Sequence, residues 1–192
     1  TPHIQEASIY RNKMDFEKST EVLKKAMFKF PDNKSLPNLL AQDLRASGKI
    51  KEAKSVYWRM ANKSEELAEK LAHIRSIIQL SQNDDSTHEL AQKLQARLEN
   101  NPKSIFPPLA LAELNHHSGF YEDRRKFLLK ATEIKPNDIG LLKEIARIEE
   151  EEGQYDRALE TLRKIKSLDK TKSNQSLLVQ FYMRNGEEDR AF

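Results

Sequence analysis

Two histidine neighbourhoods and one acidic run are where residue type and spacing come closest to chemistry. His88-Glu89-Leu-Ala-Gln92 begins like HExxH, in which two imidazoles one helical turn apart share a zinc ion. Gln92 takes the place of the second imidazole, so the pattern fails as zinc chemistry. His116 and His117 are adjacent, and adjacent residues on a helix point about 100° apart. They read as surface hydrogen-bonding or peptide-contacting groups, not as a chelate. Glu149 to Glu152 reads as a solvated stretch at a helix end, against the helix dipole. The chain has no cysteine, which excludes disulfides, thiolate nucleophiles and Cys-type zinc sites. It contains neither a phosphate-cradling glycine loop nor a Gly-x-Ser-x-Gly elbow. The expectation is a non-enzyme with no catalytic residue, no cofactor and no metal.

If the residues do no chemistry, the elements that carry them become the subject. The 192 residues hold 33 Lys plus Arg and 30 Asp plus Glu, a net charge of +3. Mixed charge of this kind belongs to solvated helix faces, not to a nucleic-acid arm. The excess is uneven: residues 1–64 carry 13 basic and 7 acidic groups. A basic first third favours an acidic partner at low salt, although a lysine-rich solvated surface has the same composition. No apolar run reaches the ~18 residues of a membrane span.

The glycines reveal the organisation. Gly119 and Gly153 are 34 residues apart, as are Tyr121 and Tyr155, and Ile134 and Leu168. Gly153-Gln-Tyr-Asp-Arg-Ala158 returns as Gly186-Glu-Glu-Asp-Arg-Ala191, and Gly48-Lys-Ile-Lys-Glu-Ala53 has the same form. Met14 stands 34 before Gly48, with Ser19 in place of Ala53. The spacing predicts a helix ended by a left-handed glycine, a hydrophobic residue two positions on that opens a second helix, and a small residue that lets the two approach. The second helix then follows a 3.6-residue rhythm, as in Ala158, Leu159, Leu162, Ile165 and Leu168. Such a pair cannot bury its apolar faces alone, so neighbours must stack. The units are residues 1–33, 34–67, 71–104, 105–138, 139–171 and a shortened 172–192, forming one array over 1–192. The third is the least regular. Its turn falls at Gln82 to Ser86, and its first helix is expected from Ser64, as N-cap, to about Leu80.

These residues resemble the tetratricopeptide repeat. The fourth unit supplies Ala112, Gly119, Tyr121, Ala131 and Pro136; the fifth Ala146, Gly153, Tyr155 and Ala158; the first Ala7, Tyr10, Phe16, Ala26 and Pro31; the second Ala41, Gly48, Ile50 and Ala53. Arg124 stands where the fourth unit wants alanine. The resemblance covers almost the whole chain. It implies an all-α solenoid of about 5.5 antiparallel helix pairs in a right-handed superhelix. Ala53-Lys-Ser-Val-Tyr-Trp-Arg-Met60 is also similar to the second helix of the half-a-TPR repeat of RNA-processing scaffolds, which keeps that role as an alternative.

The resemblance further implies that the first helix of each unit lines an inner groove. At its groove positions stand Asn38, Gln42 and Arg45; Arg75, Gln79, Gln82 and Asn83; Phe106, Leu109, Glu113, His116 and His117; Lys143, Arg147, Glu150 and Glu151; and Gln180, Met183 and Arg184. Amides beside arginines suit a protein or an extended peptide, and an acidic one would pair with the arginines. Nucleic acid, a small-molecule substrate and a chaperone carboxylate clamp are disfavoured, while self-association stays open. Two roles follow: an interaction scaffold or adaptor, or the repeat segment of a larger secretion, envelope-assembly or regulatory protein. Trp58 is expected on the outer, second-helix face beside a packed Tyr57.

Overall fold

The structure, a computed structural model, describes residues 2–81 and 86–186, with the backbone alone at 86, 173 and 175. Of the predicted turn at 82–86, residues 82–85 lie outside the described residues, as does Ala191 of the sixth unit, whereas Ser86 is already helical. Eleven helices and no strand occur among the described residues: α1 (Pro2–Asn12), α2 (Phe16–Lys29), α3 (Ser35–Ala46), α4 (Ile50–Lys63), α5 (Leu67–Leu80), α6 (Ser86–Asn100), α7 (Phe106–Ser118), α8 (Tyr121–Ile134), α9 (Ile139–Glu151), α10 (Tyr155–Leu168) and α11 (Lys172–Arg184). None of the described helices is long and apolar enough to cross a membrane.

The helix breaks fall where the glycine spacing puts them. Gly48, Gly119, Gly153 and Gly186 all have φ between 72° and 75°, and Met14 adopts φ 58° at the corresponding place. Two residues later Phe16, Ile50, Tyr121 and Tyr155 each begin a second helix. Asp15 and Asp138 cap α2 and α9 by accepting from the Lys18 and Leu141 N–H groups, both at 3.1 Å. Phe106 is followed by Pro107 and Pro108 in the first turn of α7, where the missing N–H groups have no helical acceptor to lose.

The third unit departs from expectation at its start. Ser64 does not cap a new helix; it ends α4, with extended backbone (φ −62°, ψ 139°). Its hydroxyl donates backwards to the Met60 carbonyl at 3.0 Å, and the N-cap position of the next helix falls to Glu66. Ser64, Glu65 and Glu66 form the break that proline supplies elsewhere, and α5 begins at Leu67.

The chain forms two compact units, residues 1–90 and 91–192, with the boundary inside α6. In the first, α1 to α5 pack each on the next in sequence. Its core gathers Ala7, Leu23, Ala26, Leu36, Leu40, Ala41, Leu44, Ala53 and Val56. Each buried leucine contributes roughly 1.5–3 kcal/mol. In the second, α7 to α11 pack in the same sequential way. One core cluster there joins Leu142, Ala146, Ala158, Leu162, Ile165 and Phe181. Ala53 and Ala158, the predicted small residues, are fully buried. Tyr155, which opens α10, meets Phe181 of α11 edge to face at 6.4 Å.

Candidate functional site

In the first unit, one buried carboxylate sets the orientation of α3. Asp43 is 1% exposed. Its Oδ1 accepts from Nε of Arg11 on α1 at 2.7 Å, with Nη2 at the same distance. Its Oδ2 accepts from the hydroxyl of Ser19 on α2, which also lies 3.1 Å from the Ala7 carbonyl. A buried charge is tolerated only with such partners, and these come from two helices at once. With Asp43, Leu36, Leu40, Ala41 and Leu44 turned inward, the outer stripe of α3 is Asn38, Gln42 and Arg45. All three are exposed, and none makes a hydrogen bond or ion pair to the described residues. Arg75 and Gln79, one turn apart on α5, are also exposed. Asn83, like Gln82, lies outside the described residues.

In the second unit the groove candidates are largely bound to one another. Arg147 Nη1 reaches Glu151 at 2.6 Å and its Nη2 reaches Glu144 at 2.9 Å, both on its own helix. Glu144 also accepts from the buried Arg124 of α8 at 2.8 Å. Arg184 of α11 grips Glu150 of α9 with Nε and Nη2, at 2.8 and 2.7 Å. The two residues are 34 apart, so the repeat interval itself brings them together. Glu149 turns inward, accepting from Arg125 at 3.2 Å and from the Thr161 hydroxyl at 2.9 Å. The acidic run is thus divided: Glu149 is buried, Glu150 and Glu151 are paired, and Gln154 donates to Glu152 at 3.0 Å. The expectation of a simple solvated stretch fails there, because Arg125 and Thr161 supply donors the sequence pattern does not announce.

His116 and His117 are exposed, with ring centroids 6.0 Å apart at 66°. Partial burial, and then the charges of Arg124 and Arg147, hold the His116 imidazole below its usual pKa, with Glu113 opposing. Phe106 is 6% exposed and sits under the Arg97 guanidinium, 5.7 Å from the ring centroid. With Leu109 also buried, the pair seals the start of α7 and forms no outward apolar spot. Lys143, Gln180 and Met183 are exposed and Glu113 is half-buried. Tyr57 stacks on His73 at 6.2 Å, and its neighbour Trp58 is half-buried.

Sequence reasoning missed two features. Asp43 was detectable as an acid set in the apolar rhythm of Leu36, Leu40 and Leu44. Phe28 of α2, 91% exposed, was detectable as an aromatic off the buried stripe of its helix.

Sequential packing of helix pairs, with left-handed turns at Gly119, Gly153 and Gly186 recurring every 34 and 33 residues, decides the architecture. The fold is tetratricopeptide-like. It resembles the 41-to-end fragment of MamA from Desulfovibrio magneticus RS-1, at 16% identity over 86% of this chain and 96% of that one, with TM-score 0.50. A tetratricopeptide repeat protein from Parabacteroides merdae is 20% identical over 99% of this chain and 88% of its own, with TM-score 0.43. YrrB, described as a TPR protein with an unusual peptide-binding site, is 15% identical over 91% and 88%, with TM-score 0.48. At these identities the likeness concerns the fold alone. No protein-family model matches the sequence, and no curated protein matches it.

Proposed function

We propose that the chain is a non-catalytic interaction scaffold that binds a protein or extended peptide along the exposed row of its first helices. One observation carries this reading. Asn38, Gln42 and Arg45 form a single outward stripe on α3, unengaged, beside a residue that is locked in place. Amides offer both donor and acceptor to a peptide backbone, and Arg45 offers a fork to a carboxylate. A stripe fixed by the core loses little entropy on binding, which favours recognition. Arg147 and Arg184 have their carboxylates already, so the second unit offers Lys143 and Gln180 as its open polar groups.

The test is affinity capture from lysate with mass spectrometry, comparing wild type with a Gln42→Ala, Arg45→Glu double variant. Both positions are exposed, so the variant keeps its helical circular-dichroism spectrum. Partners specific to the wild type are expected to disappear. Capture of every partner by the variant removes the α3 stripe from consideration.

A further inference from the structure

The second helices of the first unit carry a different feature. The buried stripe of α2 runs through Ser19, Thr20, Leu23 and Ala26. Phe28 stands off that stripe among the exposed Lys24, Lys25 and Lys29. Single exposed apolar residues are ordinary, but Phe28 borders two depressions. One, of about 1130 Å³, has Leu40, Leu44, Val56 and Met60 among its walls, with Arg59 and Lys63 of α4 alongside. The other, of about 500 Å³, lies between α1 and α2 and includes His3, Lys25 and Lys29. An aromatic ridge between two recesses is a place for a partner's side chain to pack.

The charges around it are segregated by side, with six cations and six carboxylates bordering the two depressions together. Lys25, Lys29, Lys34, Arg59 and Lys63 make no ion pair or hydrogen bond among the described residues. Lys24 has only a surface pair with Glu52 at 3.2 Å, which water screens. The carboxylates on this side, Glu6, Asp32 and Glu52, are outnumbered. The opposite wall of the larger groove is acidic, with Glu65, Glu66 and Glu69 leading into α5.

We propose that this face of α2 and α4 docks an acidic peptide segment bearing an aromatic or aliphatic anchor. The anchor packs against Phe28 over the larger groove, and its flanking carboxylates meet Lys25, Lys29 and the α4 cations. The acidic wall repels a continuous polyanion, which favours a short acidic stretch over nucleic acid or an anionic lipid surface. The larger groove reaches Asn38 at one end of the α3 stripe, whereas Gln42 and Arg45 lie outside it.

Fluorescence anisotropy with the 192-residue chain tests the proposal. The probes are labelled short peptides with one Phe or Leu flanked by Asp and Glu, and the same anchors flanked by Lys. Acidic probes are expected to bind, with affinity falling as salt rises, and lysine-flanked probes are not. Phe28→Ala weakens binding by roughly 10- to 100-fold, with circular dichroism and melting temperature unchanged because the ring is exposed. A Lys25→Glu, Lys29→Glu double variant also weakens it, while Arg45→Glu leaves it intact. The proposal is overturned if no acidic probe binds, or if binding ignores Phe28→Ala. It is equally overturned if lysine-flanked probes bind as well, if sedimentation shows Phe28 joining two copies of the chain, or if anionic vesicles or oligonucleotides occupy the face instead.

Discussion

Asp43 is held by Arg11 and Ser19, and the cost of isolating any one of the three differs. Removing the carboxylate leaves the half-buried Arg11 guanidinium without its anionic partner, while the Ser19 hydroxyl keeps the Ala7 carbonyl. Asp43→Ala is expected to destabilise the first unit by roughly 3 kcal/mol, because a buried partner is stranded. Chemical denaturation monitored by circular dichroism measures it. A double-mutant cycle with Arg11→Ala should return a coupling well above that of a surface pair. Ser19 shows how far sequence can be read at this scale. It was legible as the small residue that lets α1 and α2 approach, and it is buried as expected. That its hydroxyl reaches Asp43 was not legible, since serine satisfies the size requirement whichever way its oxygen points. Histidines give a second residue-scale expectation. Burial holds both His73 and His116 below the usual imidazole value of 6.5, with nearby arginines adding to the effect at His116. A base whose folded pKa is depressed binds its proton more readily when unfolded. The stabilising share is therefore present above pH 6.5 and is lost as the pH falls below it towards the folded values. The melting temperature should decline over that window, and His73→Gln should flatten the decline.

At the scale of the element, the turns are the most legible part of the molecule and the breaks without glycine the least. Gly153 holds φ 72° with nothing within 4 Å of where a Cβ would sit. Gly153→Ala should therefore cost about 1 kcal/mol from backbone conformation alone. Met14 accepts the same conformation with a side chain that is 81% exposed. Met14→Gly should raise the melting temperature modestly, the relief of about 1–2 kcal/mol being partly offset by glycine's greater freedom when unfolded. Ser64 was read as a helix start because serine commonly caps the helix ahead of it. A serine hydroxyl can bond backwards as readily, and only the course of the chain decides. The candidate row divides for a related reason. Its positions were legible from the repeat, but whether an arginine there is open or occupied depends on carboxylates one turn or one repeat away. Arg45 has no carboxylate so placed, whereas Arg147 has Glu144 and Glu151, and Arg184 has Glu150.

At the scale of the whole molecule, each unit is built from contacts between consecutive helices, and that pattern governs its opening. Helix α11 packs on α10 and reaches α9 through the Arg184–Glu150 pair. It has fewer supports than α9, which is packed on both sides. Hydrogen–deuterium exchange is expected to release α11 amides well before those of α9, and Glu150→Gln should hasten α11 exchange specifically. The Ser64–Glu66 break carries a mechanical consequence for the first unit. Three non-helical residues between α4 and α5, extended at Ser64 and Glu66 and including two exposed glutamates, give a protease a segment it can enter without melting a helix. Because α5 packs directly on α4 within the same compact unit, severing the backbone there leaves the packed helix pair to hold the two pieces together. A glutamate-specific protease should therefore leave a discrete pair of fragments, and pulling on the chain should extend it hairpin by hairpin, not in a single rupture.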